Sequence, residues 1–111
     1  METTDFIDFE DGLNRIGGNL KLYKRLLQGF VDGNYFEKLA NALSRGDMDD
    51  AKLQAHTLKG VGANLSLVKV RALSAQLEEA LKDGTDYSSC LELLTKGYDD
   101  TVQHIEKLLA E

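Results

Sequence analysis

The chain has 111 residues, of which 42% are hydrophobic and 29% charged, with a formal net charge of -6 at pH 7. That length and apolar content suit one compact unit with a single core, residues 1–111, and exclude a disordered chain. The acidic balance disfavours nucleic acid and anionic membrane, since both reward clustered Lys and Arg.

The opening stretch METTDFIDFEDG is acidic and carries Phe6, Ile7, Phe9 and Leu13 without a basic-then-apolar run, so it reads as neither a signal nor a transit peptide. Gly17-Gly18-Asn19 is a turn with a capping residue, and Leu20, Tyr23, Leu27, Phe30 and Val31 after it form one apolar stripe of a helix over about 20–32. A second stripe, Phe36, Leu39, Ala40 and Leu43, stops at Gly46, a residue suited to the left-handed turn that closes a helix. Asp47 is the next N-cap, with Asp49 and Asp50 in the first turn, where the helix dipole favours negative charge.

That helix runs from near Met48 to Leu65, and Ser66 offers a fresh cap for the next. Val70, Leu73, Leu77, Ala80 and Leu81 then recur at helical spacing until Asp83-Gly84, and Thr85, Asp86 and Ser88 are candidate caps for a last stripe of Leu91, Leu94, Tyr98, Val102, Ile105 and Leu108. No proline interrupts these segments, and none reaches the run of about 20 apolar residues that a bilayer span needs. Five or six helices with short connections predict an all-α fold: an antiparallel up-down four-helix bundle built from the last four, with one or two additional N-terminal helices at an end or flank. The single Cys90 cannot form an internal disulfide, which fits a reducing cytoplasm, and it reads as a small half-buried apolar residue.

The stretch AHTLKGVGANL places two glycines inside the helix that begins near Met48, each at a cost of about 1 kcal/mol relative to alanine. At 100 degrees per residue, Ala51, Ala55, Leu58, Gly62 and Leu65 share the inward face, while His56, Lys59, Gly60 and Ala63 lie on a stripe about 120 degrees away. His56 is thereby expected to face solvent. Gly62 is expected to let a neighbouring helix approach, and Gly60 to leave room for another molecule at the imidazole. Lys59, one turn on, and Lys52, one turn back, put cations where an anion carried by the imidazole would sit, which suits a phosphoryl group.

His56-Thr57-Leu58-Lys59-Gly60, then Ala63-Asn64-Leu65, then Leu77-Glu78, together with the opening Gly12-Leu13-Asn14-Arg15-Ile16-Gly17-Gly18-Asn19 and the following Leu22-Tyr23 and Leu26-Leu27, resemble the histidine-containing phosphotransfer (HPt) domain of bacterial multistep phosphorelays. Ser66 departs from the pattern, since many members carry glycine after the Asn-Leu pair. The resemblance implies a phosphoryl group accepted on His56 from one receiver domain's aspartate and passed to another response regulator, with a hybrid sensor histidine kinase upstream. It further implies that Lys59 stabilises the phosphoryl charge and that Gly60 and Ala63 admit the receiver. Glu78 would hold the imidazole's other nitrogen, and Gly62 and Asn64 would be structural members of the motif.

A monomer without kinase or ATPase activity and without a cofactor of its own is expected, since nothing matches a nucleotide-binding loop; Mg²⁺ would come with the receiver. Two other readings compete: a helical adaptor that binds proteins without chemistry, and a metal site joining His56 and His104 to Asp99 or Asp100. The metal reading has poor support, because no His pair stands at i, i+4 and Cys90 has no partner. His104 reads as a surface or boundary residue of the last helix.

Overall fold

The computed structural model describes residues 3–111. Six helices follow one another: α1 (Phe9–Arg15), α2 (Leu20–Asp32), α3 (Tyr35–Ser44), α4 (Met48–Asn64), α5 (Val68–Asp83) and α6 (Ser88–Leu109). Among the described residues there is no strand, only a lone antiparallel bridge between Ile7 and Leu67. No described helix is long and apolar enough to cross a membrane.

Local chemistry sets the helix ends. Asp8, Asn19 and Asp47 each accept a hydrogen bond from a first-turn amide, those of Asp11, Leu22 and Asp50, which satisfies donors that a helix start leaves free. Gly46 and Gly84 leave α3 and α5 in the left-handed region, at φ of 71° and 68°. Two expected caps are placed differently. Ser66 does not cap α5: it sits at φ 57°, the N-cap is Leu67, and the Ser66 hydroxyl is diverted to Asp11 Oδ2 at 2.6 Å. Before α6 the N-cap is Tyr87, and Asp86 accepts both the Ser88 amide at 2.9 Å and the Ser88 hydroxyl at 2.7 Å.

The bundle is antiparallel, with α4 packed between α3 and α5 and α5 packed in turn on α6. The fourth side is closed where α2 meets α6: the Tyr98 ring lies 5.3 Å from Phe30 of α2 and 5.5 Å from Phe36 of α3. The break between those two helices falls at Asn34, whose φ is 52°. One core runs the length of the molecule and includes Ile7, Tyr23, Leu27, Leu39, Leu58 and Ile105, apolar side chains whose burial is the main favourable contribution to folding.

The segment before α1 is stitched to the turn between α4 and α5. The Asp8 amide donates to Ser66 O at 3.0 Å, and the Val68 amide to Phe6 O at 2.9 Å. From α2, the buried Tyr23 hydroxyl donates to Leu65 O at 2.6 Å. Burial, with the charges of Asp8 and Asp11 nearby, pushes the Tyr23 phenol up to about 12, so it remains a neutral donor at physiological pH.

Candidate functional site

The amphipathic pattern of α4 places the site. Ala51, Ala55, Leu58 and Gly62 are buried, and His56, on the opposite face, has 64% of its side chain exposed. The antiparallel register of α5 brings Glu78 across to it, with Oε2 2.7 Å from His56 Nδ1. Oε1 of the same carboxylate accepts the Lys59 ammonium at 2.6 Å, and Lys82, one turn along α5, lies 3.7 Å from Oε2. The Glu78 side chain is only 6% exposed, so packing holds it where these partners converge.

Burial alone would raise the Glu78 carboxyl. The hydrogen bonds from Lys59 and His56, with the charges of Lys59 and Lys82, outweigh that and hold it below the usual 4.5. An ionised Glu78 accepts only, so the neutral imidazole must place its proton on Nδ1, leaving the Nε2 lone pair for a reagent from outside. A nucleophilic nitrogen held in a single tautomer on an exposed face is what the arrangement supplies.

The two glycines differ as their faces dictate. A Cβ at Gly60 would meet nothing within 4 Å, whereas one at Gly62 would lie 2.9 Å from the Arg71 amide nitrogen and 3.2 Å from its Cα. Gly62 thus admits the backbone of α5, and Gly60 leaves open space beside the imidazole. Lys59, Gly60 and Ala63 form one wall of a shallow groove whose other wall is Val68, Arg71, Ala72 and Ala75 of α5.

Of the expected site residues, His56, Lys59 and Glu78 are gathered by hydrogen bonds, and Gly60 and Ala63 adjoin them. Lys52 is half-buried one turn away and makes no ion pair among the described residues. Asn64 is exposed at the last position of α4, and its side chain makes no hydrogen bond among the described residues. His104 is half-buried, its ring 4.4 Å from that of Phe6 and its Nδ1 2.9 Å from Asp100 O. Cys90 is a half-buried free thiol.

Four neighbours of the site escape the sequence reading. Lys82 stands at i+4 from Glu78, and Leu53 at i-3 from His56, 58% exposed on the polar stripe; both spacings were available in the sequence. Val68 and Arg71 enter only through the register of α5 on α4, which no local pattern encodes.

The family described as Hpt domain matches residues 32–111. The crystal structure of the HPT domain from an Hpt sensor hybrid histidine kinase of Shewanella superposes with a TM-score of 0.83 over 96% of this chain and 95% of that one, at 19% sequence identity. That likeness speaks for the fold. No curated protein matches the chain.

Proposed function

Because the chain belongs to the Hpt domain family, whose members carry phosphoryl groups in phosphorelays, we propose that His56 is its phosphoryl carrier, taking the group from the aspartate of one receiver domain and delivering it to another. The observation that carries this reading is an exposed imidazole whose Nδ1 is held by the nearly buried Glu78 carboxylate.

In the forward step the Nε2 lone pair attacks phosphorus, the bond from phosphorus to the aspartyl oxygen breaks, and the receiver regains its carboxylate. The Nδ1 proton stays in place, so the ring gains positive charge, which Glu78 stabilises at 2.7 Å. Transfer onward reverses these events, and no proton has to leave the site. Lys59, one helical turn from His56, exchanges its bond to Glu78 for the phosphoryl oxygens once they arrive, a charge-assisted contact with a dianionic group. Gly60 and Ala63 leave the approach clear.

On this reading the chain needs no cofactor of its own. Mg²⁺ belongs to the receiver, and ATP is consumed by a hybrid sensor kinase upstream. The cytoplasm is its place of work, and the free thiol of Cys90 suits that reducing compartment.

The test is incubation with phosphorylated receiver domains, following label onto this chain. Label should arrive, be acid-labile and alkali-stable as an N-P bond is, and be absent from His56→Gln. Label that persists on folded His56→Gln overturns the assignment.

A further inference from the structure

Resting on the phosphotransfer reading of His56, we infer that Ser74 is a positioning residue of the transfer site. Its buried hydroxyl takes over the Glu78 oxygen that Lys59 gives up when Lys59 turns to the phosphoryl group. Ser74 lies on α5 with none of its surface exposed, and its Oγ has no hydrogen-bond partner among the described residues. A hydroxyl so placed is unfavourable, because it has lost water without gaining a partner.

The fold fixes where a partner can come from. Along α5, Ser74 stands between Arg71, whose backbone packs on Gly62, and Glu78, which reaches His56 and Lys59. It therefore belongs to the stretch of α5 that faces α4, one helical turn before Glu78. Residues at i and i+4 share a helix face, and long side chains lean toward the N-terminus, which brings the Glu78 side chain back toward Ser74.

In the resting protein Ser74 is not needed there. Lys59 occupies Oε1 of Glu78 at 2.6 Å, and His56 occupies Oε2 at 2.7 Å. Once the phosphoryl group is on Nε2, Lys59 moves to it and Oε1 loses its donor. The Glu78 side chain is only 6% exposed, so water reaches that oxygen poorly. Rotation of the Ser74 hydroxyl supplies a donor from inside the protein. No covalent bond changes and no proton is transferred: one hydrogen bond replaces another, and Glu78 stays ionised against the charged ring.

Ser74 should therefore act on stability with opposite signs according to whether Lys59 holds Oε1. In the wild-type background Ser74→Ala removes an unpartnered hydroxyl and adds a good helix former, so the melting temperature should rise. In Lys59→Ala the same substitution removes the only donor left for Oε1, and the melting temperature should fall. In Lys59→Ala/Glu78→Ala the acceptor is gone, and the substitution should be stabilising again. Thermal melts of these six proteins by circular dichroism read the signs.

A second readout belongs to the chemistry. At equilibrium between this chain and a phosphorylated receiver domain, Ser74→Ala should shift the label toward the receiver about tenfold, the scale of one hydrogen bond to a charged group. Half-saturation by the receiver should not change, since Ser74 is buried. A residue that only packs would leave the equilibrium where it is.

A rise in melting temperature in all three backgrounds means that the hydroxyl never reaches Glu78, and a fall in all three gives it another acceptor, such as the backbone carbonyl of Val70. Either result overturns the inference. A label equilibrium within twofold of wild type overturns it too, whatever the melts show. Failure of the carrier reading is a different result, label on folded His56→Gln from a phosphorylated receiver.

Discussion

His56 Nδ1 and Glu78 Oε2 meet at 2.7 Å from residues 22 apart in the chain, and the second oxygen of that carboxylate is taken by Lys59. One nearly buried anion therefore organises both the nucleophile and the cation beside it. Because Glu78 is fixed by packing, little ordering remains for the moment of transfer.

Removing that anion should be felt in both stability and chemistry. Glu78→Ala is expected to lose about 1.5–3 kcal/mol of stability, the usual worth of hydrogen bonds to a charged group, and to slow receiver-dependent labelling about tenfold. Glu78→Gln keeps an oxygen for the Nδ1 proton and should retain more of the rate. Label transferred at the wild-type rate to Glu78→Ala would remove Glu78 from the chemistry.

The same carboxylate should leave a mark on stability against pH. Its folded pKa lies below the 4.5 of an unperturbed glutamate, so the unfolded chain binds its proton first as pH falls. The stabilisation is complete at neutral pH, persists above 4.5, and is lost as pH drops through the lowered folded value. Urea unfolding of wild type and Glu78→Gln should show a gap that is constant from pH 7 to 5 and narrows below 4.5. A gap independent of pH down to 3 counts against the ionised, hydrogen-bonded carboxylate.

Lys59 should matter mainly after phosphate has arrived. Lys59→Ala is expected to lower the melting temperature modestly, since it leaves one oxygen of the nearly buried Glu78 carboxylate without its hydrogen bond. It should lower the transfer rate roughly tenfold, about 1.4 kcal/mol of barrier, and shorten the lifetime of the phosphohistidine in the isolated protein. An unchanged lifetime with an unchanged rate would return Lys59 to the role of a salt-bridge residue.

The two glycines of α4 should part company under substitution. Gly60→Ala is expected to stabilise the protein by up to about 1 kcal/mol through helix propensity; Gly60→Gln should stay folded and slow transfer. Gly62→Ala presses its Cβ against the backbone of Arg71 at 2.9 Å, which cannot yield as a flexible side chain could, and should cost about 1–3 kcal/mol. Equal melting temperatures for Gly60→Ala and Gly62→Ala would contradict this division.

Much of this arrangement was legible in the sequence, and the reason is periodicity. The buried face of α4 and the exposure of His56 follow from spacing alone, as does the caps' placement at Asn19 and Asp47, where a side-chain oxygen precedes a helical stripe. Glu78 entered only through the family resemblance, because its contact depends on how α5 slides along α4. The role of Ser66 was misread for a related reason. Its partner Asp11 is 55 residues away, and the competition between a local cap and a tertiary hydrogen bond cannot be seen from neighbours in the chain.

Ser66 itself gives a further prediction. A left-handed backbone at a non-glycine residue carries a strain of roughly 1–2 kcal/mol, which the bond to Asp11 offsets. Ser66→Gly relieves the strain and loses the bond, and should stay within about 1 kcal/mol of wild type. Ser66→Ala keeps the strain without the bond and should melt lowest of the three. An alanine variant as stable as the glycine one would show that the turn has no need of either device.

The strap from Phe6 to Asp8 and the Tyr23 hydroxyl that donates to Leu65 come from before residues 32–111, the span over which the family matches. They nonetheless hold the turn that sets α5 against α4, and Ile7, Tyr23, Leu27 and Phe30 belong to the core. A gene fusion or recombination event that moved only the shared span into a new reading frame would carry His56 and Glu78 but leave behind what fixes their separation. The unit that holds the site together therefore includes residues 6–31 as well as 32–111.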